Sequence, residues 1–156
     1  MSPNNNDISD REMVINRLIN APRELVWKAW TTPEHVKHWW GPNGFTNTIH
    51  EMEVKTGGVW RFMMHGPNGM DFPNKIVFNE VVKPERLVYT HSSDDENDPN
   101  VFKTTVTFEE QNGKTNLTMR ALFATKEERE RVIKEYGALE GGNQTLNRLE
   151  EYLAKM

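Results

Sequence analysis

Cysteine is absent from this sequence. That excludes a disulfide framework, a thiol nucleophile and a thiolate metal site, and it fits a reducing compartment. A long hydrophobic run is missing as well: no apolar stretch approaches the roughly 18 residues of a membrane span. The opening MSPNNNDISD lacks the basic and apolar pattern of a signal peptide. The expectation is a cytoplasmic protein with no membrane span. Basic charge is not in excess either, with 19 Lys and Arg against 23 Asp and Glu and a formal net charge of -4. An electrostatic nucleic-acid binder would show a basic stripe, so nucleic acid is not an expected partner. Neither G-x-G-x-x-G nor G-x-S-x-G occurs, so there is no sequence sign of a phosphate loop or a nucleophile elbow. Gly57-Gly58 and Gly141-Gly142 read as turn and helix features. No cofactor is expected.

What is present is periodicity. From Thr125 to Met156, apolar residues recur as Val132, Tyr136, Leu139, Leu146, Leu149, Leu153 and Met156. Steps of three, four and seven place them on one face of an α-helix. Thr125 followed by Glu128 has the form of a capping box. One unbroken helix of this length would run about 45 Å, more than a small domain covers. A break is expected at Gly137, where glycine takes the left-handed turn that ends a helix. The second piece, Ala138 to Lys155, needs a partner for its apolar face.

The upstream chain supplies one. Its length gives a single domain over residues 11–156, after a disordered segment over residues 1–10. Arg11 to Asn20 reads as a strand. Pro22 to Trp30 reads as a short helix, and a second runs from Pro33 to Trp39-Trp40 with Thr32 as its cap. Period-two strands follow: Phe45 to Val54, Val59 to His65, Met70 to Val82 with an interruption at Pro73, Arg86 to Ser92, Val101 to Glu110 and Thr115 to Phe123. The polar stretch from Ser93 to Asn100 reads as an exposed loop. Six strands joined as hairpins favour an antiparallel sheet, and one apolar face per strand means cover on one side. A twisted sheet around one long helix is the expected α+β architecture.

Residues 17–42, RLINAPRELVWKAWTTPEHVKHWWGP, resemble the opening signature of the heat-shock-protein-90 ATPase activator-like proteins. These belong to the START/SRPBCC superfamily, with the fold of the birch-pollen allergen. GGVWRFMMHGPNG at 57–69, PERLVYT at 84–90 and EGGNQTLNRLEEYL at 140–153 continue the match. The resemblance implies a helix-grip fold: a curved antiparallel sheet around a long C-terminal helix, with a cavity between them. It also implies a choice of roles. Members bind small hydrophobic molecules, protect against reactive compounds or act as co-chaperone domains, and enzymes occur in the wider superfamily. Stress response and a chaperone or other protein partner are therefore among the expectations.

The leading expectation is a small hydrophobic molecule held between helix and sheet by desolvation. Trp60, Phe62, Met64, Ile76, Phe78, Phe102, Val106, Met119 and Tyr136 are the expected wall, with Trp39 and Trp40 at the entrance. Gly142 lies on the apolar stripe of the last helix, three residues after Leu139 and four before Leu146. The family motif often carries a tryptophan near this point, so the missing side chain points to room for a ligand. A helix kink or a tight helix–sheet contact is the competing reading. His35 and His38 stand at helical i, i+3 spacing, but no third ligand completes a motif, and no metal is expected. His50, His65 and His91 lie on strands and are candidate polar contacts. No catalytic residue is assigned, because no acid–base pair is evident in the sequence.

Overall fold

The computed structural model describes residues 9–93 and 101–156, the side chains of residues 9, 135 and 136 excepted. The expected disorder before residue 9, most of the acidic loop and the Tyr136 side chain lie outside the described residues. After a 3-10 turn at Ser9–Arg11, the order is β1 (Glu12–Ile19), α1 (Arg23–Thr31), α2 (Pro33–Val36), β2 (Thr46–Met52) and β3 (Val59–His65). Then come β4 (Asp71–Val82), β5 (Arg86–Ser93), β6 (Phe102–Gln111), β7 (Lys114–Leu122), α3 (Lys126–Tyr136) and α4 (Ala138–Leu153).

The seven strands form one sheet in the order β1-β7-β6-β5-β4-β3-β2. Every neighbouring pair is antiparallel. β2 to β7 follow one another as hairpins, while β1 returns to pair with β7, Ile15 opposite Met119. The side-chain period of two then decides the faces. Trp60, Phe62, Ile76, Phe78, Leu87, Tyr89, Thr104, Val106, Phe108, Leu117 and Ala121 are buried, and their intervening neighbours are not.

α3 starts at a Thr125 cap whose hydroxyl accepts from the Glu128 N–H at 3.0 Å. It ends at Gly137 in the left-handed region, φ 60° and ψ 38°, at the expected break. α4 then lays Leu146, Leu149 and Leu153 into the core. Leu139 departs from the expected stripe and is 41% exposed. It stands in the first turn after the break, ahead of the point where α4 first meets the sheet at Gly142.

The sheet is not covered by α4 alone. The link from β1 at one edge to β2 at the other carries α1 and α2 and buries Val26, Trp27, Ala29, Trp30, Val36, Trp39 and Trp40. α1 packs on β6, β7 and α4. Trp27 meets Phe108 at 5.3 Å between ring centroids, Trp30 meets Trp39 at 5.0 Å, and Trp40 meets Trp60 at 4.9 Å. Edge-on packing suits the quadrupoles of these rings. Two local expectations are corrected. α2 ends at Val36, and no side-chain cap bond forms at Thr32. β4 runs through Pro73 without a break. Pro73 opposes Met63 of β3, and among the described residues it has no partner on β5, whose pairing with β4 is described from Asn74 onward.

Candidate functional site

Between the sheet and the start of α4 lies a cavity of about 130 Å³. Its floor is built from cross-strand pairs on one face of four adjacent strands. Tyr89 pairs with Thr104, and His91 with Phe102. Ala121 joins Thr104 to Met13, and Met119 faces Ile15. The roof is Gly142 of α4 and Trp40 of the segment after α2. The lining is predominantly carbon, with hydroxyls at Tyr89 and Thr104 and an imidazole at His91 as its polar groups. Tyr89 and Thr104 are each 2% exposed. Burial pushes the Tyr89 phenol above its ordinary pKa, and a hydrogen bond with Thr104 pulls weakly the other way. Tyr89 is thus neutral across the physiological range. His91 Nε2 is 2.8 Å from Asn74 Oδ1.

Gly142 stands at the edge of this space and in close contact with β1. A Cβ built there would meet Ile15 Cδ1 at 2.5 Å. At the glycine itself the geometry is the tight helix–sheet contact, with the Ile15 methyl against the backbone, and the cavity opens beside it.

Polar anchors fix α4 over the sheet. Arg148 Nη1 donates to the carbonyls of Gly41 at 2.8 Å, Pro42 at 2.9 Å and Trp40 at 3.3 Å. Its Nη2 donates to Phe45 O at 3.0 Å and His38 O at 3.2 Å. Burial lowers the Arg148 pKa and Glu151 opposes that shift. One guanidinium therefore gathers the carbonyls of the segment that carries Trp40. At the β1 edge, Arg17 donates to Asn143 and to Glu150, each at 3.0 Å.

Of the residues singled out from the sequence, Trp40, Phe102, Met119 and Gly142 line the cavity. Trp39, Trp60, Phe62, Ile76, Phe78 and Val106 are buried in the core beside it, and Met64 packs partly buried against that core. Met13, Ile15, Tyr89, His91, Thr104 and Ala121 complete the lining. His91 was legible as a strand histidine. The β1 residues were not, because nothing in the sequence says which strand β1 joins.

The other histidines lie elsewhere. His35 Nδ1 shares a 2.6 Å hydrogen bond with the Tyr152 hydroxyl, and His38 stacks on the same ring. Among the described residues no group of three or more His, Asp and Glu is arranged to hold a metal. His65 stands between Thr48 and Asp71, with Nε2 2.8 Å from the Thr48 hydroxyl and Nδ1 2.7 Å from the Asp71 carboxylate. This row lies at the exposed ends of β2, β3 and β4, away from the cavity. Of three larger grooves among the described residues, those of about 370 Å³ beside Tyr152 and about 400 Å³ beside Arg86 are more polar, and all three, including one of about 310 Å³ beside Phe72, are more open to solvent. Its more closed shape and apolar wall make the smaller cavity the better small-molecule site.

The family model described as Activator of Hsp90 ATPase homolog 1-like protein matches residues 20–154. The chain belongs to the Hsp90 ATPase activator homolog 1-like family. The fold of this family, helix-grip and α+β, is shared by solved structures. A protein from Arthrobacter aurescens superposes with a TM-score of 0.86 at 24% identity, over 97% of this chain and 91% of that one. One from Mycobacterium smegmatis gives 0.85 at 23% identity, over 96% and 94%. One from Nitrosomonas europaea gives 0.81 at 26% identity, over 94% and 96%. No curated protein matches the sequence. Membership in the Hsp90 ATPase activator homolog 1-like family places the chain among ligand-binding or co-chaperone-like domains. Among the described residues, no helix is long and apolar enough to cross a membrane.

Proposed function

We propose that this protein binds a small hydrophobic molecule in the cavity beneath Gly142. The observation that carries the reading is the cavity itself: about 130 Å³ with an almost wholly apolar wall, at a helix position whose side chain is missing. Binding would be driven by moving apolar surface out of water, with the few hydroxyls setting orientation. Benzene serves as the probe, because a dry apolar cavity of about 150 Å³ is known to take it up. Titration should shift the Met13 and Met119 methyl resonances saturably. Gly142→Trp should fill the space and abolish the shift. Absence of a saturable shift in the unmodified protein sinks the proposal.

The family description favours a second reading, an interaction module acting on a chaperone of the Hsp90 type. Stimulation of an Hsp90 ATPase by the purified protein, unchanged in the Gly142→Trp variant, would support that surface-borne role over the cavity.

A further inference from the structure

We infer that the cavity selects a single aromatic ring carrying one neutral hydrogen-bonding substituent, a phenol-type monocycle, with the substituent at the Tyr89–Thr104 pair. The inference rests on the cavity being the binding site proposed above, and it adds the chemical class of the ligand.

Size comes first. At about 130 Å³ the cavity is close to the roughly 150 Å³ that accommodates benzene. A fused ring system or a long acyl chain exceeds it. A second groove of about 310 Å³ adjoins it and shares His91 and Phe102 with it. Those two rings are cross-strand partners with centroids 5.0 Å apart, and they form the partition. A ligand spanning both spaces would have to break it.

The wall then favours a ring over an alkyl chain. Trp40 and Phe102 offer aromatic faces and edges, and Met13 and Met119 offer thioethers, which pack well against ring edges. The polar groups set the substituent. Tyr89 and Thr104 are neighbours across the β5–β6 ladder, and both are buried. Both hydroxyls line the space, and a hydroxyl can donate to or accept from a ligand oxygen or nitrogen. No Lys or Arg lines the cavity, and its one imidazole, His91, has Nε2 2.8 Å from Asn74 Oδ1, so a carboxylate would lose its hydration with no fixed cation to replace it. The substituent is therefore neutral.

The test is a titration of the intact protein with phenol, toluene, benzoate and 1-naphthol, read from the Met13 and Met119 methyl shifts. Phenol should bind about tenfold more tightly than toluene, the worth of one hydrogen bond in an apolar site. Benzoate and 1-naphthol should not bind. Tyr89→Phe should bring phenol down to the toluene level and leave toluene unchanged. Thr104→Val is the second variant should Tyr89→Phe not fold, and it should narrow the same ratio. Ala121→Leu should fill the cavity and abolish the binding of both. Equal affinity for phenol and toluene, or a ratio untouched by both hydroxyl variants, overturns the assignment of the substituent. Binding of 1-naphthol as tight as that of phenol overturns the single-ring limit. In either case, loss of binding in Ala121→Leu leaves the cavity reading standing. Binding that survives Ala121→Leu unchanged, or no binding by any compound, overturns the cavity reading and this inference with it.

Discussion

The two halves of the space under α4 differ in one respect. Positions 142, 146, 149 and 153 form a single stripe along the helix, facing a predominantly apolar side of the sheet. Under Leu146, Leu149 and Leu153 the stripe is filled, and the tryptophans of α1 and the following segment pack the same end. At Gly142 the Ile15 methyl lies against the helix, and a cavity remains beside the pair. The lesson is that facing inward does not separate core from binding wall. Volume supplied from the opposite layer does, and here it is supplied at one end only.

The filled half should be the less forgiving. Trp30 is 1% exposed and meets Trp39, Trp40 and Phe108 edge-on. Trp30→Ala should cost about 3–5 kcal/mol in urea denaturation, because a site packed on all sides collapses poorly. Met119→Ala enlarges a space that already exists and should cost roughly half as much or less. Equal costs for the two would erase the contrast between the halves.

Arg148 couples them, since it is rooted in the leucine half of α4 and holds the segment bearing Trp40. Arg148→Ala removes a donor from five carbonyls, of which Trp40 O keeps the Asn47 amide and Pro42 O keeps the Phe45 N–H, and should cost about 2–4 kcal/mol. Arg148→Lys should recover only part of this, because one ammonium cannot reach both rows of acceptors. Benzene uptake should fall in both variants as the Trp40 roof loosens. Unchanged uptake alongside lost stability would separate the anchor from the cavity.

The third comparison is at Gly142 itself. Gly142→Ala gains up to about 1 kcal/mol of helix propensity. Against this, its Cβ would press on Ile15 Cδ1. That methyl is the end of a side chain with empty space next to it, so it should swing into the cavity. Stability should change by less than about 1 kcal/mol while benzene binding weakens. A loss of several kcal/mol would mean that Ile15 has nowhere to go and that the space is already closed.

How far the sequence reached follows from these residues. The capping box at Thr125, the left-handed stop at Gly137 and the strand parities are local signals, and each fixed an element. The resemblance at residues 17–42 and 140–153 matched the fold. The open end of the grip was only half legible. Gly142 stood out because a helical glycine on an apolar stripe is costly. Its counterpart Ile15 did not, because the pairing of β1 with β7 joins residues more than 100 positions apart. Arg148 was also hidden, as its acceptors are backbone carbonyls and leave no mark in the sequence. Thr48, His65 and Asp71 likewise meet only through strand register.

The smallest expected effect sharpens the polar side of the comparison. Tyr89 is a buried phenol in the open half whose pKa is raised, chiefly by burial. In the unfolded chain a tyrosine loses its proton near pH 10, whereas the folded state keeps it there. Above that pH the unfolded state binds fewer protons than the folded one, so the stability contributed by Tyr89 is complete below pH 10 and declines as the pH rises. The decline should reach just under about 1 kcal/mol by pH 10.5. The quantity to compare is the difference between the native protein and Tyr89→Phe, which isolates this one group. The two stability curves should converge between pH 9 and 10.5, because the phenylalanine variant lacks the titrating group. Parallel curves across that interval would show that the Tyr89 hydroxyl reaches water in the folded protein. The polar end of the cavity would then be wet rather than sealed.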